Sequence, residues 1–161
     1  MTDPRAFHDT LTVIDGCQFS NWFQCGFADS QVYNVNRAYF EQWREGGVTA
    51  VQVTISTWEG TRATLDVLSR WYRVFNEHAD LVMPAVSGKD IETAKYVNKT
   101  AVILGMQNTS AFEDDLGLVE IFHRLGVRFA QATYNIQNFV GASCYDPVDS
   151  GLTRYGRFVL G

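Results

Sequence analysis

Residues 46–55 read Gly46-Gly47-Val48-Thr49-Ala50-Val51-Gln52-Val53-Thr54-Ile55. The run is rich in β-branched residues, and its composition predicts a strand that begins almost directly after a glycine pair. That pair also reads as a helix stop, because glycine takes a positive φ at little cost. Upstream of it, Asn34 to Glu45 carries Val35, Ala38, Tyr39 and Trp43 at mostly helical spacing. Further upstream, Leu11-Thr12-Val13-Ile14-Asp15-Gly16 alternates apolar and polar residues and then meets a glycine, as a short strand running into a loop does. Strand, helix, strand with short connections predicts a parallel α/β fold.

The same alternation continues toward the C-terminus. Thr61 to Phe75 places Ala63, Leu65, Leu68, Trp71, Tyr72 and Phe75 at intervals of three and four, the spacing of a helix packed on one face. Leu81-Val82-Met83-Pro84 is short and ends in proline, Ser87 offers an N-cap, and Asp90 to Tyr96 reads as a brief helix. Thr100 to Met106 predicts a third strand, Leu116 to Leu125 a helix stopped by Gly126, and Val127 to Tyr134 a fourth strand. Asn135 to Ser150 is left as a long polar loop, a kind of segment that usually carries function. Four parallel strands make either an open sheet or half of an eight-stranded barrel, and a complete barrel takes ~250 residues. At 161 residues the chain fits the N-terminal half of a (β/α)8 TIM-type barrel with outer helices. It is expected to be one incomplete domain over residues 1–161, truncated or completed by another chain, since Phe158-Val159-Leu160-Gly161 reads as the opening of a helix.

Composition narrows the function classes. Apolar residues make up 46% and charged residues 19%, as in ordinary globular proteins. A net charge of −5 with no basic run argues against nucleic acid as a partner. No apolar run approaches the ~20 residues of a membrane span, and Met1 to His8 lacks the pattern of a signal peptide, so a cytoplasmic location is expected. Cys17, Cys25 and Cys144 are odd in number and widely spaced, which indicates neither a disulfide framework nor a zinc knuckle. His8, His78 and His123 fall away from the strand ends and read as surface residues. The acidic run Glu113-Asp114-Asp115 precedes a helix, where carboxylates balance free N–H groups. Trp58 and Glu59 follow the second strand, the first as a possible pocket wall and the second as helix-start compensation.

Five segments in order resemble the renal (membrane) dipeptidase family: Ile14-Asp15-Gly16, Gly46-Gly47-Val48, Ile103-Leu104-Gly105-Met106-Gln107, Leu125-Gly126-Val127-Arg128-Phe129 and Gly151-Leu152-Thr153-Arg154-Tyr155-Gly156. The resemblance implies a metal-dependent barrel of the amidohydrolase type, in which two zinc ions at the carboxyl ends of the strands activate a water that attacks the amide of a dipeptide. It also locates the ligands. Where the family reads D-G-H-x-D, this chain reads Asp15-Gly16-Cys17-Gln18-Phe19, so Cys17 and Phe19 replace a histidine and an aspartate. Gln107 stands where the family has a glutamate bridging both metals. Tyr134 stands where the family has a histidine that contacts the substrate carbonyl, and it becomes the candidate catalytic residue.

Cys17 and Gln107 are thus the candidate metal ligands of this half. A thiolate binds zinc well, whereas its alternative is a small buried hydrophobe. A neutral amide cannot bridge two cations with compensating charge, so at most one zinc ion is expected, with two histidines and a further acid supplied by the missing half. Asp15 is expected to support Cys17, Phe19 to fill the volume of the second metal or pack on a ligand, and Asn108 and Asn135 to join Gln137 and Asn138 in a polar pocket. The implied function is hydrolysis of a dipeptide or small amide, and the alternative is a non-catalytic relative that binds a small molecule. A complementary half-barrel or a second copy of the chain is the expected protein partner.

Overall fold

The computed structural model describes residues 3–18 and 35–161; Phe19 and Cys25 lie outside the described residues. A first helix, α1 (Pro4–Thr10), leads into β1 (Ile14–Gln18), then α2 (Arg37–Glu45), β2 (Ala50–Ser56), α3 (Thr61–Glu77), β3 (Val82–Pro84), α4 (Gly88–Tyr96), β4 (Thr100–Met106), α5 (Leu116–Arg124), β5 (Val127–Ala130) and α6 (Arg154–Leu160). All strand pairs of the sheet are parallel. β2 lies between β1 and β4, and β4 pairs with two strands besides β2: β3 beside Thr100–Val102 and β5 beside Leu104–Met106.

Alternation along β2 and β4 divides the sheet into two faces. Val51, Val53, Ile55, Val102, Leu104 and Met106 point outward into the main core, where Phe40 and Trp43 of α2, Trp71 and Phe75 of α3 and Phe122 of α5 cover them. Ala50, Ala101 and Ile103 point to the other face and pack with Ala85, Met83 and, from α4, Ile91 and Ala94. α4 therefore departs from the expected ring of outer helices. It closes the inner face near the strand starts, and Lys95 on its last turn donates to the carbonyls of Thr10 and Leu11 just before β1. Higher up, Ile14 and Phe129 are exposed, and with Val86, Ile91 and Ile103 they line an apolar hollow of about 370 Å³.

Several local features follow from single residues. Asp3 caps α1 by accepting from Arg5 N at 2.9 Å, and proline sits in its first turn, a start signal that the strand-based reading passed over. Ser87 and Asp90 form a reciprocal capping box at α4. Gly47 has φ +73, and an added Cβ there would meet the His8 ring at 2.6 Å. His8 is thus half-buried rather than at the surface, and so is His78, whose ring lies 5.2 Å from that of Phe40; only His123 is exposed as expected. The sheet has five strands rather than four, because Val82 is buried beside Thr100, Pro84 pairs with Val102, and Ala85 N donates to Val102 O at 2.9 Å. The last strand stops at Ala130 rather than Tyr134: Gln131 N still donates to Met106 O at 2.9 Å, but β4 ends there and offers no further partner.

Phe40 is fully buried among Trp43, Trp71 and His78. Phe40→Ala should lower stability by about 3–5 kcal/mol in urea unfolding, the range for emptying an aromatic site in a packed core; a loss below about 1 kcal/mol would contradict the packing described.

Candidate active-site cleft

With α4 closing one end of the inner face, the cleft opens at the carboxyl ends of the strands, where barrels gather their chemistry. It encloses about 510 Å³ between Gly16 and Cys17 of β1, Gln52 of β2, Met106 and Gln107 at the end of β4, and Phe129, Ala130, Gln131 and Tyr134 from β5 onward. Cys17 and Gln107, 90 positions apart in sequence, meet there: Gln107 Nε2 donates to Cys17 Sγ at 3.4 Å and to Thr54 Oγ1 at 2.8 Å. Parallel pairing of β1, β2 and β4 brings the three side chains to one level.

Asp15 stands beneath this group and holds the turn of β1. One carboxylate oxygen accepts from Cys17 N at 3.0 Å and the other from Gln18 Nε2, while Gln18 Oε1 accepts from the Tyr39 hydroxyl at 3.0 Å. Burial pushes the Tyr39 phenol above its ordinary range, and the nearby Asp15 charge pushes it further. Asp15 thus supports the Cys17 backbone, not the thiol.

Tyr134 lines two hollows and packs beside a third. It lines the cleft; it packs edge to face on Trp58 at 5.5 Å, beside a hollow walled by Trp58, Asn108 and Phe139; and it lines a cavity of about 630 Å³ with Asn135, Cys144, Asp146 and Asp149 from the long loop. Asn135 takes a positive φ of 66, and its carbonyl accepts from Tyr145 N at 2.9 Å, so it shapes the loop and lines the outer cavity rather than the cleft. Asn108 is almost fully buried. Its amide donates to Ser110 Oγ and accepts from Asn138 Nδ2, which also donates to Ala132 O at 2.8 Å; Asn138 Oδ1 in turn accepts from the amides of Val140 and Gly141. The Asn108 and Asn138 pair therefore ties the long loop to the end of β4. Gln137 stays exposed on that loop.

Glu59 accepts from Thr57 N and Trp58 N at the turn before α3; Glu113 accepts from Thr61 N, and the Thr61 side chain and then its backbone N–H hold the Glu113 carboxyl below the usual range. Asp115 caps α5. The acidic residues after β2 and β4 thus serve helix starts. Three cleft residues were not singled out by the sequence: Gln52, Thr54 and Gln131. The available signal was a lone glutamine at an inward position of an otherwise apolar or β-branched strand.

The donors of this half do not fit a two-zinc centre. Among the described residues the cleft lining has no carboxylate and no histidine, both oxygens of Asp15 accept hydrogen bonds, and no three His, Cys, Asp or Glu side chains converge as a metal site would need. Among the described lining residues Cys17 is the one strong ligand type, and the Gln107 amide donates to it. Phe19 lies outside the described residues.

The raised Tyr39 pKa carries a sign. Its neutral form is favoured by folding, so that stability is fully present below the unfolded value of about 10 and is lost as pH rises through the higher folded value. Asp15→Asn should move the Tyr39 titration back toward the ordinary phenol value, read by NMR of ring-labelled tyrosine; an unchanged midpoint would exclude the Asp15 contribution.

Comparison with known proteins agrees with this geometry. A profile of the membrane dipeptidase family (Peptidase family M19) matches residues 2–161. No curated relative matches by sequence. Among solved structures, an amidohydrolase from Pseudomonas aeruginosa shares 39% identity and superimposes with a TM-score of 0.87 over 98% of this chain and 44% of its own. The probable dipeptidase PvdM from the same organism shares 16% identity with a TM-score of 0.78, covering 97% of this chain and 45% of its own. The dipeptidase AC, a metallopeptidase, shares 15% identity with a TM-score of 0.72, covering 93% and 52%. The chain thus spans about half the length of these relatives, and its fold is half of their barrel. From the ordered motifs, the parallel half-barrel and the profile match together, the chain belongs to the membrane dipeptidase family.

Proposed function

We propose that the complete barrel is a hydrolase of small amides or dipeptide-like molecules, with the bond to be cleaved lying in the cleft at the strand ends. Family membership supports the reaction class. The observation that carries the substrate class is the cleft itself: it brings together residues of β1, β2, β4 and the chain after β5, and its polar lining of Cys17, Gln52, Gln107, Gln131 and Tyr134 is uncharged. Such a lining suits a neutral amide better than a charged group, which would stand there without a counter-charge. Tyr134 is the residue of this half that holds the substrate carbonyl, donating from its hydroxyl as charge develops on the oxygen. Zinc binds as one ion at most, with Cys17 as the contribution of this half and the remaining ligands from the later strands.

A second reading has its own support. Gln107 Nε2 already donates to Cys17 Sγ and Thr54 Oγ1, which suits a relative that binds a small molecule without turning it over.

The two readings separate in one assay of the full-length protein on a panel of dipeptides. Hydrolysis should appear, fall by about two orders of magnitude or more on chelation, and return with zinc. Tyr134→Phe should lower kcat by about 100-fold at similar KM. Absence of turnover with saturable binding would favour the second reading, as would failure of the Cys17→His, Phe19→Asp, Gln107→Glu triple variant to recover metal. Turnover that survives chelation would sink the metal-dependent reading.

A further inference from the structure

Gln52 is an inward-facing amide that the proposed hydrolysis leaves without a task. It stands mid-strand on β2, is 8% exposed, and lines the cleft one layer below Gln107. Its Nε2 donates to Val53 O at 2.8 Å. A carbonyl only accepts, so this bond fixes which end of the amide is the nitrogen. Oε1 has no protein partner among the described residues. Gln52 can lie there because β4 has a glycine beside it: any side chain at Gly105 would run into the Gln52 amide. Gln107 repeats the arrangement. Its N–H groups go to Cys17 and Thr54, and its Oε1 is likewise without a partner among the described residues.

Two amide carbonyls thus face an uncharged cleft with their acceptor capacity open. Once a ligand covers these acceptors and displaces their water, an acceptor left unpaired is costly; a neutral N–H removes that cost, whereas a cation in the same place would be desolvated with no formal charge to balance it. We propose that Gln52 accepts from the amide N–H of the ligand and is thereby a specificity-determining residue; this rests on the amide-ligand reading given above. A ligand that keeps its shape but lacks the N–H leaves the Gln52 carbonyl unpaired, the situation in which polar sites discriminate most strongly.

The test compares glycylglycine with glycylsarcosine, whose peptide nitrogen carries a methyl group in place of hydrogen. Calorimetry is run on the full-length protein in excess EDTA, so that turnover does not intervene. Glycylglycine should bind at least about tenfold more tightly than glycylsarcosine. Gln52→Met keeps the side-chain length and removes the acceptor, and it should abolish the preference while leaving Tm within a few degrees. Equal binding of the two peptides by the unaltered protein overturns the assignment, whatever the variant does. A preference that persists in a folded Gln52→Met variant overturns it too. Binding of neither peptide also overturns it, and dipeptide turnover with zinc restored then judges the hydrolase reading separately.

Discussion

The parallel pairing of β2 with β4 is the interaction on which the rest of the half-barrel depends. From Ala50 beside Ala101 to Ser56 beside Met106, the two strands run together for their whole length, and both are buried throughout. Because side chains alternate with a period of two, this register decides both faces at once. A slip of β2 by one residue would turn Val51 and Val53 inward and put Gln52 and Thr54 against the helices. The same register sets Gly105 where the Gln52 side chain crosses and brings Gln107 to the level of Thr54. Core and cleft are two sides of one pairing.

What surrounds that pair gives the cleft its polarity. α4 closes the inner face near the strand starts with small side chains, Ala94 against Ala50 and Ala101, so the open space lies toward the carboxyl ends. The long loop after β5 is fixed there by the buried Asn108 and half-buried Asn138 amides, and the Trp58 ring packs against Tyr134. The acidic residues nearest in sequence are drawn to helix starts or, in the case of Asp15, to the turn of β1. Neutral side chains are left to line the cleft. Among the described residues the lining is thus fit for hydrogen bonding to neutral groups.

The fold was largely legible because its signals are local. Glycine pairs, β-branched runs and helical spacing mark β2, α3, β4 and α5 to within a residue or two, and Ser87 announced its cap. The features that escaped depend on partners distant in sequence. Val82 to Pro84 is too short to read as a strand until Thr100 is beside it, and the length of β5 is set by where β4 ends. His8 looked like a surface residue because nothing in its neighbourhood shows that Gly47 will cover its ring. At the site, motif order led to Cys17, Gln107 and Tyr134, which the fold gathers around one cleft. Asn108 and Asn135 were read as pocket residues; the first lines the hollow beside Trp58 and also anchors the long loop through Asn138, and the second lines the outer cavity. Gln52 was missed because a single polar residue in a strand does not say whether its carbonyl is paired; that depends on Gly105 across the sheet.

The central claim is that the strand-end cleft has exchanged a bridged two-metal centre for a neutral amide-lined site with room for at most one zinc ion. Anomalous diffraction at the zinc edge from crystals of the full-length protein grown with excess zinc tests it most directly. The expected map has no more than one peak in the cleft, with the Gln52 and Gln107 carbonyls free to face a ligand. Two peaks about 3.5–4 Å apart with Gln107 between them would contradict the account.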